Sequence, residues 1–200
     1  MPPYIDQSSE DFQYRLHVEN LPVDVTQKLI HDQFSRYGTI GRLYLKRRVA
    51  RESPILLPNP HVIIFYVDHH SIDAVMASRP LFMKDRELRI RRCLPMIRRY
   101  PYESNLTTNT MLVRASGDCE DQEQILPNDE IILDYLKATG GTVVRWERFD
   151  ERTLFVEFND YDPVDICCLS RPHFINDQMI EIEKCGDEQQ ARRRAQYQQK

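Results

Sequence analysis

The chain has 200 residues, with 27 Lys plus Arg against 31 Asp plus Glu for a net charge of −4. That length suits one large or two ordinary domains, and 41% hydrophobic with 29% charged residues suits small, well-wetted domains rather than one bulky core. No run approaches the roughly 18 apolar residues of a membrane helix, and Met1-Pro2-Pro3-Tyr4-Ile5-Asp6 lacks the basic and apolar regions of a signal peptide, so a soluble intracellular protein with no membrane partner is expected.

Residues 1–13 are polar and read as a flexible tail. The alternating Arg15-Leu16-His17-Val18 begins a strand, and Asp24 or Thr26 can cap a helix whose apolar face is Leu29, Ile30 and Phe34 and which Gly38 stops. Strands over 40–46 and 61–67, a helix over 71–78 and a strand over 87–92 follow. Residues 94–109, with Pro95, Pro101 and Asn105, read as a linker. Beyond it the same order recurs, with strands near 110–114, 142–148, 153–158 and 179–184 and helices near 128–139 and 163–170. A long acidic insertion, 115–127, precedes the first of these helices, and 186–200 is a polar tail whose residues 189–200 can extend as a helix.

The recurrence is an internal repeat. Shifted by 92 residues, Ser78-Arg79-Pro80-Leu81-Phe82-Met83-Lys84-Asp85 falls on Ser170-Arg171-Pro172-His173-Phe174-Ile175-Asn176-Asp177, and the register runs without gaps from His61/Thr153 to Cys93/Cys185. Identical pairs begin at Asp68, Asp73, Ser78, Arg79, Pro80, Phe82, Asp85, Ile90 and Cys93, and most apolar positions stay apolar. A unit of about 80 residues exceeds any solenoid repeat, so each copy is expected to fold as its own domain. The expected fold class is α+β: two tandem ferredoxin-like βαββαβ domains, 14–93 and 110–185, each a four-stranded antiparallel sheet with two helices on one face.

Within this frame Leu16-His17-Val18-Glu19-Asn20-Leu21 has the form apolar-aromatic-apolar-x-Asn-Leu, with His in the aromatic slot. With Pro22, Phe34-Ser35-Arg36-Tyr37-Gly38-Thr39-Ile40 and Ile72-Asp73-Ala74-Val75-Met76 ahead of Ala77-Ser78-Arg79-Pro80, it resembles RNA recognition motifs of the heterogeneous nuclear ribonucleoprotein A/B type. The resemblance covers about 160 residues. It implies a single-stranded RNA-binding protein of RNA processing, transport or translational control, nuclear or shuttling. The family's longer motif alternates a basic residue, a Gly and two exposed aromatics; here the octet is Asn59-Pro60-His61-Val62-Ile63-Ile64-Phe65-Tyr66, and neither family aromatic survives as Phe or Tyr.

Strand alternation puts His17, His61, Ile63 and Phe65 on the open face of the first sheet, with Arg89 and Arg91 beside them and Arg42, Tyr44 and Lys46 extending the patch. Rings stack bases and arginines attract phosphates. The run Lys46-Arg47-Arg48 with Arg51 continues into a loop, 49–60, suited to clamping a backbone, and Arg92, Arg98 and Arg99 add charge. Residues 14–100 carry +8, residues 101–200 carry −9 and the first 13 carry −3, so RNA is expected mainly on the first domain. At the 92-residue offset Arg89 and Arg91 become Glu181 and Glu183, and the second open face keeps Leu112, Arg114 and Phe155 as secondary RNA or partner contacts. The second domain is therefore expected to orient the first or to bind protein, and the rival reading makes both copies protein-interaction modules.

Trp146 is expected in the core, and His69 and His70 in a solvated turn. The cysteines, Cys93, Cys119, Cys167, Cys168 and Cys185, form no CxxC pair or zinc spacing and read as reduced and structural, with no metal or cofactor expected. No GxSxG, HExxH or phosphate-cradling glycine loop occurs, so no enzymatic activity is expected.

Overall fold

The computed structural model describes residues 9–46, 60–116 and 124–187. The clamping loop, most of the acidic insertion and the C-terminal helix expected above fall largely or wholly outside them. The chain is α+β and divides into two compact units, Met1–Cys93 and Leu94–Lys200.

In the first unit a 3-10 turn, Ser9–Tyr14, leads into β1 (Arg15–Glu19). Helix α1 (Gln27–Phe34) starts where Thr26 Oγ1 accepts the Leu29 N–H at 3.2 Å, and its buried face is Ile30 and Phe34. A short 3-10 turn, Ser35–Tyr37, ends at Gly38, where any Cβ would collide with Ser71 and φ is +158°, so only glycine fits. Strands β2 (Ile40–Lys46) and β3 (His61–Tyr66), helix α2 (His70–Ala77), a hairpin of β4 (Phe82–Met83) and β5 (Arg86–Glu87), and β6 (Arg89–Arg92) complete the unit. The main sheet is antiparallel in the order β2-β3-β1-β6. Leu16, Val18, Val62, Ile64 and Ile90 meet Ile30, Phe34, Ile72 and Val75 in a core where none is more than 1% exposed.

The second unit runs β7 (Thr110–Ala115), α3 (Asp129–Lys137), β8 (Val143–Asp150), β9 (Thr153–Phe158), α4 (Asp162–Leu169), β10 (His173–Ile175) and β11 (Gln178–Lys184). Its sheet has five strands, in the order β10-β11-β7-β9-β8. The fifth, β10, corrects the expected four. It pairs Phe174 with Met179 and Ile175 with Gln178, the same offsets at which Phe82 pairs with Glu87 and Met83 with Arg86. Both copies therefore insert a hairpin before the last strand, and the strand expected over 87–92 gives up its first residues to it. The turns are matched too: Lys84 and Asp85, like Asn176 and Asp177, take positive φ. Short polar side chains are the usual non-glycine residues of that region, and three of these four are Asp or Asn.

Residues 94–109 are no free linker. Glu103 is 1% exposed and its carboxylate takes both Arg171 guanidinium nitrogens at 2.7 Å and the Lys184 amide at 2.9 Å. The guanidinium of Arg171 also lies 5.0 Å from the Tyr100 ring centre. One further correction concerns a single residue. Trp146 pairs with Val156 on the helix side of the sheet, but β8 is the edge strand and the indole stays 50% exposed. Cys167 and Cys168 are buried in α4, and burial pushes the Cys167 thiol up to about 12, which keeps it an inert thiol.

The repeat also carries an ion pair from the last strand to the second helix. In the first unit Arg92 meets Asp73 at 2.7 Å, and 92 residues on Lys184 meets Asp165. The Asp73 side chain is 50% exposed, whereas Lys184 and Asp165 are 1% and 2% exposed, and Lys184 Nζ also donates to the Leu106 carbonyl at 2.7 Å. Removing one partner of a buried pair strands the other charge, which costs about 3–5 kcal/mol. Asp165→Ala is accordingly expected to lower the stability of the second unit by that amount in urea titrations read from Trp146 fluorescence. Asp73→Ala removes a carboxylate that is itself half exposed, so water already screens the attraction it gives the buried Arg92, and the cost to the first unit, read by circular dichroism, is expected to be smaller.

Candidate nucleic-acid interface

The face of the first sheet opposite its helices is organised by register. In β1, Leu16 and Val18 are buried under the helices, so Arg15, His17 and Glu19 lie on the other face. Cross-strand pairing then assembles rows. One is Tyr44, Ile63, His17 and Arg91. A second is Arg42, Phe65 and Arg15. A third pairs Lys46 with His61 and Glu19 with Arg89. Nine of the ten residues proposed from sequence for this unit thus share one face.

Arg92 is the exception. Its side chain points to the helix side, is 7% exposed and is held by Asp73 of α2. It follows Arg91 in an alternating strand, so the two cannot share a face. The charge cluster read from sequence ignored that parity.

The rings of this face associate in pairs. His17 and His61 meet edge to face with centres 5.2 Å apart, and Tyr44 meets Phe65 likewise at 5.4 Å. Tyr44 is 42% exposed, and Arg42, Lys46 and Arg89 are exposed, so rings and cations alike reach solvent. His17 is more enclosed, at 13% side-chain exposure. Desolvation first, then the charge of Arg91 and the neighbouring His61 and Lys46, lowers its pKa to about 3, so its imidazole is neutral at physiological pH. The face offers neutral rings with cations around them.

Two participants were missed in the sequence. The Arg15 guanidinium lies 4.2 Å from the Phe12 ring centre and 5.0 Å from that of Phe65. Phe12 in the entering 3-10 turn and Phe65 thereby hold a cation between them, with Arg15 only 7% exposed. Position alone revealed Arg15, because it stands two residues before His17 on an alternating strand. Glu19 sits among the cations, its carboxylate 3.9 Å from His17 Nδ1, and it offsets part of their charge. Among the described residues, Asp68, His69 and His70 each bring one ligand atom within 4.8 Å of the others on the exposed turn after β3.

The corresponding face of the second sheet is covered. Leu112 and Phe155 are paired in register and are 0% and 1% exposed, with Phe149 stacked on Phe155 at 6.0 Å. Arg114 is 8% exposed and ion-paired with Glu183. Glu181 takes the Arg99 guanidinium at 2.6 Å and the Tyr100 hydroxyl at 3.2 Å, and Glu183 takes the Tyr102 hydroxyl at 3.0 Å. The three second-unit candidates are therefore brought together but buried, and the carboxylates that replace Arg89 and Arg91 hold side chains of the same unit.

No family model matches the chain. Among solved structures it is similar to the RNA binding domain of Hrp1 in complex with RNA, at 16% identity over 88% of this chain and 99% of that one, with a TM-score of 0.36. It is similar to an Sxl-lethal protein–RNA complex at 14% identity over 86% and 99%, TM-score 0.32, and to the RRM3 domain of Mip6 at 18% identity over 40% and 92%, TM-score 0.35.

The depressed His17 pKa makes stability depend on pH. The unfolded chain binds a proton near the ordinary value of 6.5 and the folded chain only near 3, so the unfolded state holds more protons in between. The stability of the first unit should therefore fall as pH drops from about 6.5 toward 3. His17→Phe should flatten that dependence in denaturant titrations across the window. Imidazole resonances should show His17 still neutral well below the ordinary imidazole value of 6.5.

Proposed function

We propose that the protein binds single-stranded RNA through the open face of its first unit, as the first of two tandem RNA recognition motifs of the heterogeneous nuclear ribonucleoprotein A/B type. The observation that carries this reading is the row structure of that face, where Tyr44, Ile63, His17 and Phe65 alternate with Arg42, Lys46, Arg89 and Arg91. Unpaired bases present π-faces that exposed rings cover without regard to sequence, and the strand's phosphates need cations within reach. Edge-to-face ring pairs leave ring surface for a base, and the neutral His17 adds stacking area without charge. A role in RNA processing, transport or translational control, in the nucleus or shuttling from it, follows from this reading.

The second unit supports a different role. Its stacking position, Phe155, is buried, and its carboxylates already take tyrosine hydroxyls and an arginine. A sheet with that chemistry suits a basic peptide better than a phosphate backbone. The second unit is accordingly proposed to contribute little RNA affinity and to offer its surface to protein.

Fluorescence anisotropy of the full chain with random single-stranded RNA, over a series of salt concentrations, tests the proposal. Each phosphate contact contributes about −0.7 to the slope of log affinity against log salt on single strands, so Arg42→Ala/Lys46→Ala/Arg89→Ala should flatten that slope by about 2. Tyr44→Ala should cost about 1–3 kcal/mol of binding with the slope unchanged, because stacking releases no counterions. Absence of binding, or an affinity indifferent to all four substitutions, would transfer the first unit to the protein-interaction reading.

A further inference from the structure

The two sheets end in edge strands of opposite character. In the second unit β8 is outermost, bonded to β9 on one side only, and eight residues long. Val144 and Trp146 on it are 55% and 50% exposed. Arg145 is in register with Glu157 and Glu147 with Phe155. The Phe158 amide donates to the Asn109 carbonyl at 2.8 Å, on the β7 side of β9. Backbone alternation then turns Glu157 and Phe155 toward β8, and Arg145 and Glu147 toward β9. The N–H and C=O of Trp146, between them, point outward from the sheet.

An exposed edge with free backbone groups is a template for another strand. The sequence here, Val144-Arg145-Trp146-Glu147-Arg148, is complementary to itself when laid antiparallel about its central residue. Arg145 then stands opposite Glu147 of the second copy, and Glu147 opposite its Arg145. Within one strand the same two side chains already form an ion pair at 3.3 Å, so the twofold arrangement closes a square of alternating charges. On the other face the two Trp146 rings meet at the axis, flanked by the stem of Arg148. Outward-pointing Trp146 backbone groups would exchange two hydrogen bonds across that axis.

The first sheet lacks this property. Its edge strand β2 carries Arg42 and Lys46 and no carboxylate, so no antiparallel register gives its cations an opposite charge. Like charges on an edge are a common device against strand pairing. The second unit has replaced that device with its opposite.

We propose that the protein forms a twofold dimer by antiparallel pairing of β8 with β8 of a second copy, centred on Trp146, which joins two five-stranded sheets into one. The contact is isologous, as a twofold axis requires. One strand pair buries less than the roughly 1,600 Å² of a standard stable complex, so association is expected in the micromolar range.

Sedimentation velocity of the full chain across a concentration series tests this, with the emission of Trp146, the sole tryptophan, followed in parallel. The mass is expected to rise from the 23.8 kDa monomer to the dimer while the emission shifts to the blue. R145E sets two carboxylates together on both sides of the axis, E147R two guanidiniums, and each should weaken association by about tenfold or more. The combined R145E/E147R strand is again self-complementary and should recover the wild-type association, with circular dichroism showing each variant folded. A chain that stays monomeric at its highest soluble concentration overturns the proposal. So does a dimer that the single reversals do not weaken, or one that the double reversal fails to restore.

Discussion

The antiparallel pairing of β1 with β3 is the constraint on which the chemistry of the first unit depends. It sets His17 against Ile63 and Arg15 against Phe65, while Leu16 and Val18 oppose Ile64 and Val62 in the core. A slip of one residue would send the apolar set to solvent and the imidazole and guanidinium beneath the helices. Burial of those four aliphatic side chains therefore holds the polar rows in place. At about 1.5–3 kcal/mol for each fully buried aliphatic side chain, the core outweighs any single polar contact on the open face.

The second unit shows what becomes of the same scaffold when charge changes at two positions. Arg89 and Arg91 become Glu181 and Glu183, and the preceding chain folds back so that Arg99, Tyr100 and Tyr102 satisfy them. Glu103 goes deeper and ties Arg171 and the Lys184 backbone together. A carboxylate beside a mostly apolar surface needs donors nearby, and the chain supplies them from its own entering segment. Leu112 and Phe155, with Cys185 and Phe149, consequently form a second core on the face away from the helices.

Much of this was legible in the sequence because it depends on parity and spacing. The 92-residue offset matched 78–85 with 170–177 without revealing the hairpins those segments enter, and alternation placed nine of ten first-unit residues on one face. What was missed lay where parity was not applied or gives no information. Arg92 looked like one more cation in a cluster, but its neighbour Arg91 already occupied the open side. The segment 94–109 has the proline content of a linker, and nothing local reveals that Glu103 finds Arg171 some 68 residues later. Arg15 lay in plain view on the strand, yet its importance comes from Phe12, which sits in a turn with no periodicity to follow. Trp146 was misplaced because hydrophobicity predicts burial only when a neighbouring strand or helix exists to provide it.

On the open face of the first unit, charge and ring surface come from different residues. In a histidine-rich site one side chain can supply both, and its charge then changes with pH. Here desolvation and the adjacent Arg91 keep His17 neutral down to about 3, so the positive field comes from guanidiniums and Lys46. Of the cations that hold the proton off His17, Arg91 is only 8% exposed and Lys46 is open to solvent. Neutralising Lys46 would remove only the smallest cause of the depressed pKa, and desolvation, the largest cause, would remain. The imidazole therefore stays a neutral ring in both states, and the stacking surface is decoupled from the electrostatic one.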